Sequence, residues 1–98
     1  MERLKIIIGW TEIIKVKKLY KLMSKLKFVW EFYGPDSNQL SIHHLNHLKE
    51  FLIKENIINH GTGSESNSEN SSITYVILEE SYLEIIKKTL RPHKAFKV

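Results

Sequence analysis

Residues 27–36 read Lys-Phe-Val-Trp-Glu-Phe-Tyr-Gly-Pro-Asp, and this run decides the fold. Lys27 to Tyr33 is rich in aromatic and β-branched side chains, which suit a pleated, half-buried surface, so it predicts a strand. Gly34-Pro35-Asp36 breaks the strand. Asp36 and Gln39 form a capping-box pattern, with the Asp carboxylate placed to accept the first free N–H groups of a helix. That helix is expected from about Ser37 to Asn56. Its apolar arc holds Leu40, Leu45, Leu48, Phe51 and Leu52, with Ile42 and Ile53 on the flank.

Downstream, Ile57-Ile58-Asn59-His60 predicts a short second strand, and Gly61-Thr62-Gly63 a turn. Ser64 to Ser71 contains no apolar residue, so a mobile loop is expected over residues 63–72. Ile73 to Leu78 reads as the third strand. Ser81 and Glu84 give a second capping box, and Tyr82, Leu83, Ile86 and Leu90 supply one apolar helix face. Arg91-Pro92 ends that helix, because the residue before proline disfavours helical angles. His93 to Val98 can form a last strand.

From Lys25 the element order is therefore β-α-β-β-α-β. This order resembles the split β-α-β, or ferredoxin-like, pattern: an α+β domain with two helices on one face of a four-stranded antiparallel sheet. The strands are expected in the order 4-1-3-2. The resemblance is one of element order over residues 25–98, and so many functions share this fold that it assigns none.

Upstream the character changes. Residues 12–26 predict an amphipathic helix with Ile13, Val16, Leu19, Tyr20, Leu22, Met23 and Leu26 on one side. Lys17, Lys18, Lys21 and Lys25 lie on the other. Residues 1–27 hold eight basic and two acidic residues, a net +6, whereas residues 28–98 hold seven and nine, a net −2. The basic character thus belongs to an arm, residues 1–24, and not to the domain at 25–98. Met23-Ser24-Lys25 reads as a natural start of the compact part, so residues 1–22 are candidates for an upstream extension. The simplest role for the arm helix is packing with a solvated lysine face. The alternative is an anionic membrane surface or a nucleic-acid backbone as its partner.

Composition narrows the function classes. The chain has 98 residues, 42% hydrophobic and 27% charged, which is ordinary globular composition and enough for one thin core. It has no cysteine, which excludes disulfide scaffolds, thiolate metal sites and thiol nucleophiles. The apolar run Ile6-Ile7-Ile8-Gly9-Trp10 is too short for a signal-peptide core or a membrane span, so a cytoplasmic location is expected. No nucleophile–base pair and no phosphate-binding glycine loop is legible, and a non-enzymatic interaction or regulatory module is the favoured class.

Two features remain. Both faces of the central strands carry large apolar groups, so one face of the sheet is expected to stay apolar and open. Trp30, Phe32, Tyr33, Tyr75 and Ile77 are the candidate contacts of a homodimer or of another protein partner. The second feature is the run His43-His44-Leu45-Asn46-His47. His43 and His47 form an i,i+4 pair able to chelate zinc or another divalent metal, with Glu50 as a third ligand. A metal carrier or metal-assisted hydrolase is the corresponding alternative. His44 points toward the apolar arc, and the topology is expected to bring His60 and His93 toward the cluster.

Overall fold

The computed structural model describes residues 24–98. The described chain runs β1 (Lys25–Tyr33), α1 (Ser37–Lys54), β2 (Gly61–Ser68), β3 (Ser71–Glu79), a 3-10 turn (Glu80–Tyr82), α2 (Leu83–Thr89) and β4 (Lys94–Lys97). The four strands form one sheet in the order β2-β3-β1-β4, with every pairing antiparallel. The fold is α+β, and its strand order is the one expected from the sequence, compatible with a ferredoxin-like arrangement. Residues 1–23, including most of the basic arm, lie outside the described residues. Lys25 and Leu26 begin β1, so the helix expected over 12–26 does not reach its predicted end.

The register sorts every strand residue onto one of two faces. Phe28 pairs with Val76, Trp30 with Thr74 and Leu26 with Leu78, and these residues face the helices. With Leu48 and Leu52 of α1, Ile57 and Ile86 of α2 they make one core, against which Phe32, Phe51, Tyr82, Leu83 and Leu90 pack. Here the assignment of open-face contacts needs correction. Trp30 is only 3% exposed and belongs with Phe32 to the helix-covered face, whereas Tyr33, Tyr75 and Ile77 lie on the other. Successive strand residues point to opposite faces, so Phe32 and Tyr33 cannot serve the same surface. The Trp30 indole N–H donates to the Leu90 carbonyl at 2.7 Å, which fixes the ring beneath the end of α2.

The second strand is not where hydrophobicity placed it. Ile57 enters the core at 7% exposed, while Ile58 is 79% exposed, and the run 57–60 is a connection. The serine-rich stretch assigned to a loop forms β2 instead, paired to β3 from Gly61↔Ile77 to Ser68↔Ser71 with a register shift between Ser66 and Ser68. An edge strand needs backbone pairing on one side only, and its inward residues here are satisfied by hydrogen bonds. Thr62 Oγ1 donates to the Tyr75 carbonyl at 2.8 Å, and the Ser64 and Ser41 hydroxyls meet at 2.7 Å. Thr74 Oγ1 donates to the Ser41 carbonyl at 2.6 Å, and Ser37, Ser41, Ser72 and Thr74 are all fully buried. Small hydroxyl side chains thus let the first half of α1 lie close on β3, with the polar atoms paired rather than orphaned.

Helix ends also differ from the sequence signals. Asp36 precedes α1, but its side chain makes no capping bond, and Ser81 lies inside the 3-10 turn rather than before α2. At the other end α1 stops at Lys54 because Asn56 turns left-handed at φ 58°. The Ile57 N–H then reaches the Leu52 carbonyl at 2.8 Å and the Asn56 N–H reaches Ile53 at 3.2 Å, a Schellman ending with Asn in the glycine position. A β-branched residue is disfavoured there, so Asn56→Val is expected to lower stability by about 1–2 kcal/mol. Asn56→Gly is expected to stay within a few tenths of a kcal/mol. Urea midpoints of the two variants check this.

Candidate functional site

The open sheet face is built by the odd-numbered residues of β1 and β3 and their neighbours. Val29 lies between Tyr75 of β3 and Lys94 of β4, and Lys27 lies between Ile77 and Phe96. Ile73, Tyr75 and Ile77 line one strand, and Tyr33, Phe96 and Val98 extend the apolar surface outward, at 68%, 50% and 68% exposed. Tyr75 spans two strands: a Cβ built on Gly63 would stand 3.0 Å from its hydroxyl, so any larger residue there makes the ring shift by a few tenths of an ångström. The Lys27 ammonium sits 4.6 Å from the centre of the same ring, a cation–π contact.

Charge on this face is divided. Lys25, Lys27 and Lys94 belong to the β1–β4 half, and Glu65 and Glu79 to the β2–β3 half. Glu31 is the exception, and Lys94 Nζ meets it at 2.8 Å, which holds the Glu31 carboxyl below its ordinary range. The pair borders solvent and contributes little to stability. Lys25, grouped with the arm's lysines by the helical wheel, is therefore a strand residue opposite Glu79. The other three, Lys17, Lys18 and Lys21, lie outside the described residues.

Three of the histidines, His43, His44 and His47, lie on α1, on the opposite side of the sheet. His43 Nε2 and His47 Nε2 are 3.1 Å apart, and His47 Nδ1 stands 3.7 Å from Glu50 Oε1. His44 turns inward and packs on Trp30 and Phe32, with ring centres 4.8 and 5.7 Å away. Its Nε2 is buried without a hydrogen-bond partner among the described residues. His93 Nδ1 accepts the Glu31 backbone N–H at 2.7 Å, which ties the start of β4 to β1. His60 departs from expectation: it lies 3.6 Å from Glu79, at the other end of the sheet. Because β2 starts at Gly61, His60 sits at the beginning of the strand and not at its end. Among the described residues no three His, Asp or Glu side chains converge as a metal-binding group.

Burial holds the His44 imidazole below its ordinary value of 6.5, and the charges of His47, His93 and His43 act in the same direction. The folded chain binds this proton more weakly than the unfolded chain. Its contribution to stability is therefore complete above the unfolded value and is lost as the pH falls through the folded one. The urea midpoint is expected to drop as the pH falls below about 6.5, and His44→Leu to flatten that drop. Equal drops in both proteins would remove His44 from this role.

The serines of the fold are the residues that hydrophobic patterning missed. Ser37 and Ser41 are four apart on α1, and Ser72 and Thr74 two apart on β3. Those are the periods of a buried helix stripe and a buried strand face, although the residues are polar. A cleft of about 220 Å³ also lies between α1 and the start of β2, lined by Lys49, Leu52, Ile53, Ile57, Asn59 and Thr62. It is smaller than the roughly 300–1,000 Å³ of usual small-molecule sites. No helix among the described residues is long and apolar enough to cross a membrane. Comparison with protein families, with curated proteins and with solved structures finds no match to this chain.

Proposed function

We propose that the protein is a small interaction module of ferredoxin-like topology that self-associates through its open sheet face. The observation that carries this reading is the set of apolar side chains on this face: half-buried Ile73, Tyr75 and Ile77 on β3, Val29 at 5% exposed beside them, and exposed Tyr33, Phe96 and Val98 around the rim. Soluble monomers rarely leave a large contiguous apolar patch in water. The divided charge favours a second copy over an unrelated partner. A two-fold axis along the strands sets the β1–β4 half of one copy over the β2–β3 half of the other. Lys25 of one copy then faces Glu79 of the other at the same height along the strands, so the surface complements itself there. Two sheets packed this way lie roughly 10 Å apart, with Tyr75 and Ile77 near the centre.

Light scattering on the full chain from about 5 µM to about 500 µM tests this reading. A rise from the one-chain to the two-chain mass is expected. A one-chain mass throughout that range would sink it.

A further inference from the structure

We propose that His43 and His47 form a two-point chelate for a divalent first-row metal ion of imidazole preference, with Glu50 as the group that orients His47. The inference rests on α1 alone and is independent of self-association. Two nitrogens bound to one Zn²⁺ at about 2.0–2.1 Å lie roughly 3.3 Å apart at the tetrahedral angle, and about 2.9 Å apart at a right angle. The observed Nε2–Nε2 distance of 3.1 Å falls between these limits. The two rings are therefore already at the spacing a metal ion requires. Their i,i+4 placement on an 18-residue helix holds them there without help from a loop.

In the absence of metal the two Nε2 atoms lie at hydrogen-bond distance, with the donor set by the tautomers of the rings. For both Nε2 atoms to bind an ion, the donating ring shifts its proton from Nε2 to its own Nδ1, so that each ring carries its proton on Nδ1. On His47 that position faces Glu50 Oε1 at 3.7 Å. A carboxylate on the far nitrogen of a liganding histidine fixes the tautomer and ring orientation. In this arrangement Glu50 meets His47 on the nitrogen away from His43, at 3.7 Å. The rings stand edge-on, 79° between planes, and both side chains are exposed to solvent. Water completes the coordination.

The neighbouring histidines are excluded by their own positions. His44 packs its ring on Trp30 and Phe32, His93 Nδ1 is engaged by the Glu31 N–H, and His60 lies beside Glu79. Borderline imidazole ligands select Zn²⁺, Ni²⁺ and Cu²⁺ over Mg²⁺ and Ca²⁺, with Cu²⁺ bound tightest.

The test is calorimetric titration of the full chain with Zn²⁺, and separately with Mg²⁺, in a non-coordinating buffer. One equivalent of Zn²⁺ and no Mg²⁺ is expected. His43→Ala and His47→Ala are each expected to weaken Zn²⁺ at least about tenfold, since one imidazole remains in each. Glu50→Gln is expected to cause a smaller loss, up to about tenfold. His60→Ala is expected to bind as the wild type does. All these positions are exposed, so folding should survive, and circular dichroism of each variant checks that it has. The proposal is overturned by any of three results: no Zn²⁺ bound at millimolar concentration, unchanged binding in the His43 and His47 variants, or binding abolished by His60→Ala.

Discussion

Trp30→Ala is expected to lower the stability of the fold by about 3–5 kcal/mol, the range for removing a large aromatic from a packed core. The ring is 3% exposed and carries His44 against its face. Its N–H is the hydrogen bond to Leu90 that closes α2 onto the sheet, at 2.7 Å. Domains of this size have a net stability of about 5–15 kcal/mol, so the substitution removes between a fifth and all of it. Trp30→Phe keeps most of the packing and loses the N–H, leaving the Leu90 carbonyl without this donor, and should cost about 1–2 kcal/mol. Denaturant unfolding followed by circular dichroism measures both. A variant that lost self-association while keeping the wild-type midpoint would return Trp30 to the open face.

Tyr75→Glu is expected to do the reverse. The ring lies at the centre of the open face, over Gly63 and under Lys27. In a face-to-face pair it becomes a central, desolvated aromatic, the position where single truncations carry at least about 2 kcal/mol. A carboxylate there adds the penalty of a buried charge. The dissociation constant should rise at least about 30-fold, moving the protein to the one-chain mass at concentrations where the wild type is paired. The tyrosine is only half-buried within one copy, so the unfolding midpoint of the isolated chain should move far less than for Trp30→Ala. The paired substitutions thus separate a residue that holds the domain together from one expected to hold two copies together. Unchanged association in Tyr75→Glu would count against this face as the contact.

The legibility of the chain varied with how local each determinant is. β1 and β3 were readable because aromatic and β-branched runs bounded by turn residues leave few other conformations. The start of α1 was readable from Gly34-Pro35-Asp36, even though the Asp36 side chain makes no capping bond. β2 was not, since Gly61–Ser68 has no strand composition of its own. It is a strand because β3 presents an unpaired edge and because Ser41 and Tyr75 accept its hydroxyls or meet them. The i,i+4 spacing of His43 and His47 was legible, as helical periodicity is. The contact of Glu50 with His47 Nδ1 was not, because spacing places it near His47 without saying which ring nitrogen it faces.

By itself the sequence determined the order of elements, the absence of thiol chemistry, and a sheet with apolar groups on both sides. Only the tertiary structure decided which side is covered. Phe28, Trp30 and Phe32 alternate with Val29, Glu31 and Tyr33, and both sets include large apolar residues, so alternation divides them without ranking them. The ranking comes from α1 and α2. Leu48, Leu52 and Ile86 meet the even-numbered set, and the hydroxyls of Ser37 and Ser41 fit against Ser72 and Thr74 on that same face. A two-residue period is a property of the strand, whereas the choice between its two faces belongs to whatever packs against it.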